Sequence, residues 1–475
     1  FQTVMRFYGR FGDKVSVIHS KMSAGERYDQ MERAKKGEIS VMIGPRSAVF
    51  TPFSNLGMIV IDEEHEGSYK SETMPKYHAR EVANHRCDRS GAVLVLGSAT
   101  PSVDSYFKAS CGEYTLLKLS NRINNLKLAD VQVVDLRTEL KEGNRSVISR
   151  ALRAQMQQAL EKNQQIMLGL NRRGHTGVIY CRSCGHVLKC PHCDVSLTIH
   201  KDGRMRCHYC GFEQMSVKTC PECGSPYIGG FRAGTQAIEE VVKKEFPKAR
   251  ILRMDMDTTR KKGSYEAILE SFAKKEADIL IGTQMIVKGH DFPSVTLVGV
   301  LLADLSLHSS DYMAAERTFQ LLTQAVGRAG RGAEPGNAVI QTYQPEHYAV
   351  QAAKVQSYET FYELEIAYRD LMSYPPMSGM LAMLLQSADE ELLEAEAEKI
   401  KLRILEMEIP LLRVTGPTAA VISKLNDIYR RVIYLKHEDT KELYRVREMI
   451  EKSVKNEEIH KEIRVEFDEN PLYAY

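Results

Sequence analysis

The sequence lacks tryptophan, has no apolar run long enough to span a membrane, and is nearly balanced in charge, with 64 Lys and Arg against 62 Asp and Glu. The balance excludes a generic polybasic nucleic-acid binder and an acidic solvating tail, so any contact with nucleic acid must be local. The first residues also lack the apolar core and cleavage site of a signal peptide. We therefore expect a cytoplasmic globular protein that makes no membrane contact.

An initiator methionine is missing as well. The chain opens at Phe1, in a stretch typical of the middle of a helix, and we expect an N-terminally truncated polypeptide. Its 475 residues still suffice for about three domains at roughly 150 residues each.

Cysteine is scarce except in one place. Cys87 and Cys111 are isolated, and the other eight form four CxxC pairs: Cys181 and Cys184, Cys190 and Cys193, Cys207 and Cys210, and Cys220 and Cys223. Such clustering does not resemble a secreted disulfide framework and predicts two zinc sites of four cysteines each. Redox dithiols are the competing interpretation, but they normally occur as single pairs.

Glycine supports the metal interpretation, because Gly185, Gly211 and Gly224 each follow the second cysteine of a pair, where a zinc knuckle turns tightly.

The charge of the cysteine-rich segment limits what it can bind. Residues 181–223 contain six Lys and Arg and four Asp and Glu. Two zinc ions, each bound by four thiolates, make the insertion net negative, which disfavours a strong grip on duplex phosphates. We expect a rigid wedge or a partner-docking platform.

Short apolar runs bounded by turn residues predict buried parallel strands and an α/β fold. They occupy 58–61, 93–96, 166–170, 251–254, 279–281, 295–302 and 338–342. The cysteine block interrupts the second α/β lobe, helical heptads follow from His347 to about Leu371, and a mixed α+β segment ends the chain. The predicted domains are a partial first lobe (1–120), a hinge and the start of the second lobe (121–178), the zinc insertion (179–228), the remainder of the second lobe (229–345), a helical connection (346–372) and a C-terminal domain (373–475).

An acidic box, Asp62-Glu63-Glu64-His65, follows the run 58–61 directly. Carboxylates at the end of a buried parallel strand lie where open α/β sheets bind ligands, so Asp62 is suited to hold Mg²⁺ and Glu63 to polarise an attacking water. An acidic helix N-terminus is the alternative. His65 is suited to link nucleotide and DNA sites, or it is an ordinary surface histidine.

A second motif, from Gln324 to Arg331, has the pattern QxxGRxxR. Arg328 and Arg331, three residues apart on one predicted helical face, are suited to point across a cleft at the phosphates of a nucleotide. A solvent-facing basic helix is the competing interpretation.

Together with Gly97-Ser-Ala-Thr100, Asn171-Arg-Arg-Gly174 and GTQMIVKGHDFP from Gly282, these motifs resemble, in their order, the superfamily 2 helicases, and more closely the replication-restart helicases. The resemblance implies two RecA-like lobes and an ATP-dependent DNA helicase that moves 3′ to 5′, recognises stalled or abandoned forks and helps to load the replicative helicase. It also implies as partners branched and single-stranded DNA, primosomal proteins, the helicase loader and single-strand binding protein.

The resemblance also implies roles for individual residues. Asp62, Glu63, Arg328 and Arg331 are catalytic, Gly289 and Gln324 join them in binding ATP with Mg²⁺, and Arg172 and Thr283 contact DNA. The outer cysteines (Cys181, Cys184, Cys220, Cys223) hold one zinc ion, and the inner cysteines (Cys190, Cys193, Cys207, Cys210) hold the other.

The sequence departs from the family's pattern in one large respect. The phosphate-binding loop GxxxxGK[ST] that opens the family's first lobe is absent from this sequence. We therefore expect this chain alone to be catalytically incomplete.

Aromatic and basic residues alternate after the acidic box: Tyr69, Lys70, Tyr77 and Arg80 are suited to stack on single-stranded bases and to hold phosphates. Pro75 lies in a stretch where some relatives have a Trp. Packing of both tyrosines against the lobe is the alternative.

Two other functions compete with the helicase interpretation for the whole chain. One is a non-catalytic zinc-bearing DNA and protein interaction module. The other, a zinc-centre thiol chaperone, explains only the cysteines.

Overall fold

The computed structural model describes residues 2–119, 127–170, 180–193, 195–200, 203–229, 234–255, 258–259, 263–283, 292–307, 311–332 and 334–475. The chain forms two compact units, Phe1–Tyr106 and Phe107–Tyr475. The division falls earlier than the boundary predicted at residue 120. Across the described ranges, every helix is too short or too polar to cross a membrane.

The first unit contains two separate pairs of parallel strands. Helix α2 begins with a capping box, in which Ser23 and Glu26 bond each other's backbone N–H groups. The elements are α1 Gln2–Phe11, β1 Val15–Val17, α2 Ala24–Lys35, β2 Val41–Ile43, β3 Met58–Asp62, α3 Ala79–Ser90 and β4 Val93–Gly97, and α4 Val103–Ser110 runs across the division.

One face of the β3–β4 pair packs and the other does not. Ile61 on β3 is buried against Ala83 of α3 in a small core. On the opposite face Met58, Val60 and Val93 are each more than half exposed. The first unit therefore presents an apolar sheet face.

The second unit is built on a six-stranded parallel sheet of order β12-β13-β6-β14-β15-β5. The predicted runs 166–170, 251–254, 279–281, 295–302 and 338–342 supply five of its strands, and the α/β prediction is confirmed. Its elements are β5 Asp130–Asp135, α5 Leu136–Lys141, α6 Arg150–Glu161, β6 Gln165–Leu170, α7 Thr235–Glu245, β12 Ile251–Met254, α8 Ser264–Ala273, β13 Ile279–Gly282, β14 Val295–Leu301, α9 Asp304–Leu307, α10 Ala314–Val326 and β15 Asn337–Thr342.

The structure differs from the predicted hinge at β5. This strand pairs with β15 along its whole length, from Asp130 opposite Asn337 to Asp135 opposite Thr342. Val131 and Val134 are buried, so part of the segment predicted as a polar hinge supplies the edge strand of the sheet. The surrounding polar residues obscured this short strand in the sequence.

Between β6 and α7 the cysteine-rich insertion forms two small antiparallel sheets. Strands β8, β9 and β10 form one, and β7 pairs with β11 in the other. The strands are β7 Tyr180–Cys181, β8 Thr198–Ile199, β9 Arg204–Arg206, β10 Glu213–Met215 and β11 Ile228–Gly229.

The predicted run of helical heptads is two helices, α11 Tyr348–Val355 and α12 Tyr358–Leu371. Gln356 breaks the run with a left-handed φ of 52°, and the Ser357 side chain then caps α12 by accepting a hydrogen bond from the Thr360 N–H. Heptad spacing alone does not reveal such a break.

The C-terminal domain is an antiparallel sheet of order β17-β18-β16-β19 with two helices, which confirms the predicted α+β segment. Its elements are β16 Gly379–Ser387, α13 Glu390–Leu405, β17 Arg413–Leu425, β18 Ile428–His437, α14 Thr440–Lys455 and β19 Arg464–Glu469.

Both faces of this C-terminal sheet are buried. Ile433 and Leu435 of β18 lie in a core with α13 and α14. The alternate residues Val432 and Tyr434 lie in a second core with the zinc insertion, where they pack with Tyr209. The period of two in a strand thus places the insertion and the helices on opposite faces of one sheet.

Candidate functional site

The acidic box lies at the carboxyl end of β3. Asp62 pairs with Gly97 of β4, and the side chains of Asp62 and Glu63 are exposed. Glu63 has a left-handed φ of 48°, and its N–H donates to Asp62 Oδ1 at 3.0 Å. Two solvent-facing carboxylates at this edge fit the predicted roles in holding Mg²⁺ and water.

His65 lies in the interior, with 3% of its side chain exposed. Its Nδ1 is 2.6 Å from Ser98 Oγ and 3.6 Å from Glu63 Oε2. His65 therefore connects the acidic box to the GSAT segment, and the surface-histidine alternative does not describe its position.

Glu64 is 2% exposed and accepts four hydrogen bonds. Its donors are Arg80 Nη1 at 2.8 Å, Ser105 Oγ at 2.9 Å, and the backbone N–H and hydroxyl of Ser102 at 2.6 and 3.1 Å. Arg80 also donates to Asp104 Oδ2 at 2.6 Å. The structure thus disfavours the predicted contact of Arg80 with DNA phosphates, since its guanidinium is buried and bonded to protein oxygens.

The tyrosines of the aromatic segment also pack against the first unit. Tyr69 donates its hydroxyl to the Asp62 carbonyl at 2.8 Å, and burial raises the pKa of this phenol. Tyr77 meets Phe50 edge to face at 5.0 Å, and Lys70 is buried. This packing favours the alternative interpretation for the tyrosines, and it leaves the tip of the loop, with Met74, exposed.

The arginines of the QxxGRxxR motif lie beyond the end of their helix. Helix α10 stops at Val326, so Arg328 and Arg331 occupy the following turn, not one helical face as predicted. The Arg331 Nε donates to the Gly327 carbonyl at 2.8 Å. Gly330 enforces the turn, because it has a φ of 68° and a Cβ there would clash with the Gly336 nitrogen.

The remaining predicted residues are only partly placed. Gln324 is half-buried on α10, and Thr283 is half-buried directly after β13. Arg172 and Gly289 lie outside the described residues. Strands β6 and β13 are neighbours, with Gly169 opposite Gly282.

The eight paired cysteines come together as two groups of four, and each group has its sulfurs within 4.8 Å of one another. The grouping is the nested one that the family resemblance implies: Cys181, Cys184, Cys220 and Cys223 outside, Cys190, Cys193, Cys207 and Cys210 inside. Sulfurs bound to one zinc at about 2.3 Å lie about 3.8 Å apart. The Sγ atoms of Cys181 and Cys223 are 3.7 Å apart, and those of Cys190 and Cys210 are 3.5 Å apart.

The chemistry of the donors also fits zinc, which binds thiolates. Hydrogen bonding from the Cys193 thiol lowers the pKa of Cys190 to about 6. Zinc held here supplies a crosslink between distant turns of the insertion.

Each knuckle abuts a different part of the second unit. At Gly185 in the outer group, a Cβ would clash with the Tyr343 carbonyl oxygen, directly after β15. At Gly211 in the inner group, a Cβ would lie 3.1 Å from Thr418 Oγ1 of the C-terminal sheet. The insertion therefore bridges the parallel sheet and the C-terminal sheet.

Sequence reasoning missed several buried charged groups near these sites. Arg369 of α12 donates to Glu365 and Glu316, the latter on the helix that leads to the arginine motif. Asp304 is fully buried after β14 and accepts from Thr342 and Tyr343. The Glu365–Arg369 pair has i,i+4 spacing on one helix, which the sequence shows. Glu316 and the partners of Asp304 come from distant segments, so residue type and spacing give no signal for those contacts.

Three family domains match the chain: the PriA DNA helicase Cys-rich region (CRR) domain at residues 190–214, the helicase conserved C-terminal domain at 230–333, and the primosomal protein N C-terminal domain at 370–472. Together with the parallel sheet and the two four-cysteine groups, they define a zinc-bearing helicase protein.

Relatives specify the family further. The Replication restart protein PriA of Bacillus subtilis is 46% identical over 471 residues, covering 99% of this chain and 58% of the relative. Those of Synechocystis and Haemophilus influenzae are 44% and 37% identical, covering 92% of this chain and 54% and 60% of the relatives. The chain belongs to the PriA family, and it spans between half and two thirds of the length of these relatives.

A solved structure of RecG bound to a three-way DNA junction is 15% identical, with a TM-score of 0.37, and covers 79% of this chain and 38% of that one. Because the TM-score is low, the α/β assignment depends on the strand order given above.

Proposed function

We propose that this chain is the motor and zinc-bearing part of an ATP-dependent 3′ to 5′ DNA helicase that restarts replication at stalled or abandoned forks. The observation that carries the proposal is the 46% identity to a replication restart protein along 99% of the chain. The solvent-facing carboxylates after β3 and the glycine-bounded arginine turn after α10 are consistent with it.

The proposed chemistry is phosphoryl transfer from ATP to water. Asp62 holds Mg²⁺, and Glu63 orients and polarises the attacking water. Arg328 and Arg331 stabilise the negative charge that develops on the transferred phosphoryl group, with Gln324 and Gly289 contacting the nucleotide.

DNA binding is proposed for the exposed tip of the loop between Tyr69 and Tyr77 and for Thr283 and Arg172, with single-stranded and branched DNA as ligands. We extend the proposal to the primosomal proteins, the loader of the replicative helicase and single-strand binding protein as partners, and to the cytoplasm as the compartment.

The 475-residue chain by itself turns over no ATP in this proposal. A phosphate-binding loop supplies a row of backbone donors, a lysine for the β- and γ-phosphates and a hydroxyl for Mg²⁺, and the sequence contains none. Asp62 and Glu63 repel the phosphates unless these groups are present. This absence favours the second candidate, a zinc-bearing binding module, for the chain taken alone.

The test uses an extended chain, defined as this sequence joined at its amino terminus to a helicase segment that carries the phosphate-binding loop GxxxxGK[ST]. With ATP and Mg²⁺ it should unwind a fork that has a 3′ single-stranded tail and not one with only a 5′ tail. The matched Glu63→Gln variant should bind the fork and unwind nothing. Unwinding of neither fork by the unmodified extended chain contradicts the proposal.

A further inference from the structure

The inner four-cysteine group shares a buried core with the C-terminal sheet. Tyr209, inside the second CxxC pair of this group, meets the ring of Tyr434 edge to face at 4.9 Å. Tyr374 is 1% exposed and donates its hydroxyl to the Cys193 carbonyl at 3.2 Å, in the first CxxC pair. Both CxxC pairs of the inner group therefore contact aromatic residues of the C-terminal domain.

Lys436 of β18 adds a cation to this contact. Its ammonium lies 3.5 Å from the centroid of the Tyr374 ring and donates to the Met372 carbonyl at 3.2 Å. Its register partner on β17 is a second cation, Arg413. In the described part of the chain, no carboxylate forms an ion pair with Lys436. The ring face and the carbonyl orient the ammonium, but neither carries a formal negative charge.

The electrostatics of Lys436 indicate where its compensating charge comes from. Burial lowers the pKa of this ammonium to about 8, the charge of the Cys193 thiolate opposes that shift, and the Arg413 guanidinium adds to it. A cation that is withdrawn from water and lies near another cation is costly unless an anion compensates it. The inner cysteine group is the anion that the structure offers.

Metal binding decides how much negative charge the inner group carries. Cysteines bind zinc as thiolates, and zinc binding releases the thiol protons. Four thiolates around one Zn²⁺ leave a net negative centre, whereas four protonated thiols are neutral. The charge of Lys436 is therefore compensated best when the inner group holds its ion.

We propose that Lys436 is the charge partner of the inner zinc centre, and that Tyr374 positions its ammonium between the C-terminal sheet and Cys193. Groups outside the ligands tune metal affinity, and the loss of one typically weakens binding about 10–100-fold. The C-terminal sheet thus completes the inner site, and zinc bound there holds the sheet to the insertion by charge as well as by packing. The inference concerns the second unit and holds whether or not the chain is a helicase.

The first test measures zinc affinity by chelator competition in the 475-residue chain with one site removed. The Cys223→Ser chain should keep the inner ion, and the Cys190→Ser chain should keep the outer ion. Lys436→Met should weaken zinc binding about tenfold or more in the first chain and change it less than about twofold in the second. Lys436→Arg should keep most of the inner affinity, because it keeps the charge.

Lys424→Met is the matched control. Lys424 lies on β17 of the same sheet, and its ammonium is 4.4 Å from the centroid of the Tyr429 ring, but it pairs with Asp427 at 3.3 Å. This variant removes the same kind of cation–ring contact and should leave both zinc affinities unchanged. An unchanged inner affinity in Lys436→Met, or an equal loss in Lys424→Met or at the outer site, overturns the inference.

The second test separates charge from packing and needs no cysteine substitution. Urea unfolding of the C-terminal domain is followed in the 475-residue chain, with saturating zinc and with EDTA. Lys436→Met should lower the unfolding midpoint with zinc and should not lower it with EDTA, because there the variant removes a cation that lacks its compensating charge. Equal losses in the two conditions would show that Lys436 contributes packing alone, and they would overturn the inference.

Discussion

Gly211 lies so close to Thr418 that a Cβ at this glycine would be 3.1 Å from the threonine Oγ1. The contact joins the inner zinc knuckle to the C-terminal sheet, and Gly211 has a φ of 79°. Two independent requirements, backbone conformation and space, therefore fall on one residue.

Gly211→Ala should destabilise the protein more than Gly203→Ala. Gly203 has nearly the same φ, 78°, but open space around its Cα, so its substitution incurs only the left-handed cost of about 1–2 kcal/mol. The Gly211 variant adds displacement of Thr418. Urea unfolding of both variants measures the difference, and equal losses would show that the contact with Thr418 has no energetic role.

Metal analysis should find two zinc ions per chain. Cys190→Ser should lose the inner ion, keep the outer one and loosen the C-terminal domain, because Cys190 lies in the core that this domain shares with the insertion. Cys223→Ser, at an exposed ligand, should lose the outer ion and leave the C-terminal sheet protected from proteolysis. One zinc ion in the unmodified chain would refute the nested arrangement.

Asp304 should give stability an unusual dependence on pH. Burial raises its pKa from 3.8 to about 6. Between these values the folded state binds more protons than the unfolded state, so the contribution of Asp304 to stability is present below pH 4 and is lost as pH rises through 6. Asp304→Asn should flatten this part of the profile in urea unfolding between pH 4 and 7. An identical slope in wild type and variant would show that Asp304 does not titrate there.

Arg328→Ala in the extended chain should lower kcat for ATP by about 10³-fold or more, as expected for an arginine that stabilises transferred phosphoryl charge. Its affinity for single-stranded DNA should stay unchanged, because the charge acts on the transition state. Steady-state kinetics and fluorescence anisotropy with a labelled oligonucleotide provide the two readouts. Unaltered turnover would remove Arg328 from the catalytic assignment.

Apolar runs and cysteine spacing predicted most of the architecture. Runs such as 295–302 are continuous because parallel strands are buried on both faces, and the pattern is visible without a structure. The CxxC pairs likewise predict metal sites, since tetrahedral thiolate coordination demands four sulfurs.

Features that depend on tertiary contacts were not predictable in this way. Helix α10 ends at Val326, and Gly330 in the following turn lies against the Gly336 backbone. Arg80 is buried with its guanidinium bonded to Glu64 and Asp104. A single sequence shows the residue types but not these partners. The aromatic and basic segment was therefore predicted as a DNA-contacting surface, although much of it packs against its own unit.

The most direct test of the account is phosphate release from ATP by the extended chain and by the 475-residue chain, each with and without single-stranded DNA. We predict release that DNA stimulates in the extended chain and that Glu63→Gln abolishes, and a rate in the 475-residue chain equal to that of its own Glu63→Gln variant. DNA-stimulated release by the 475-residue chain above that baseline, or none by the extended chain, would contradict the account.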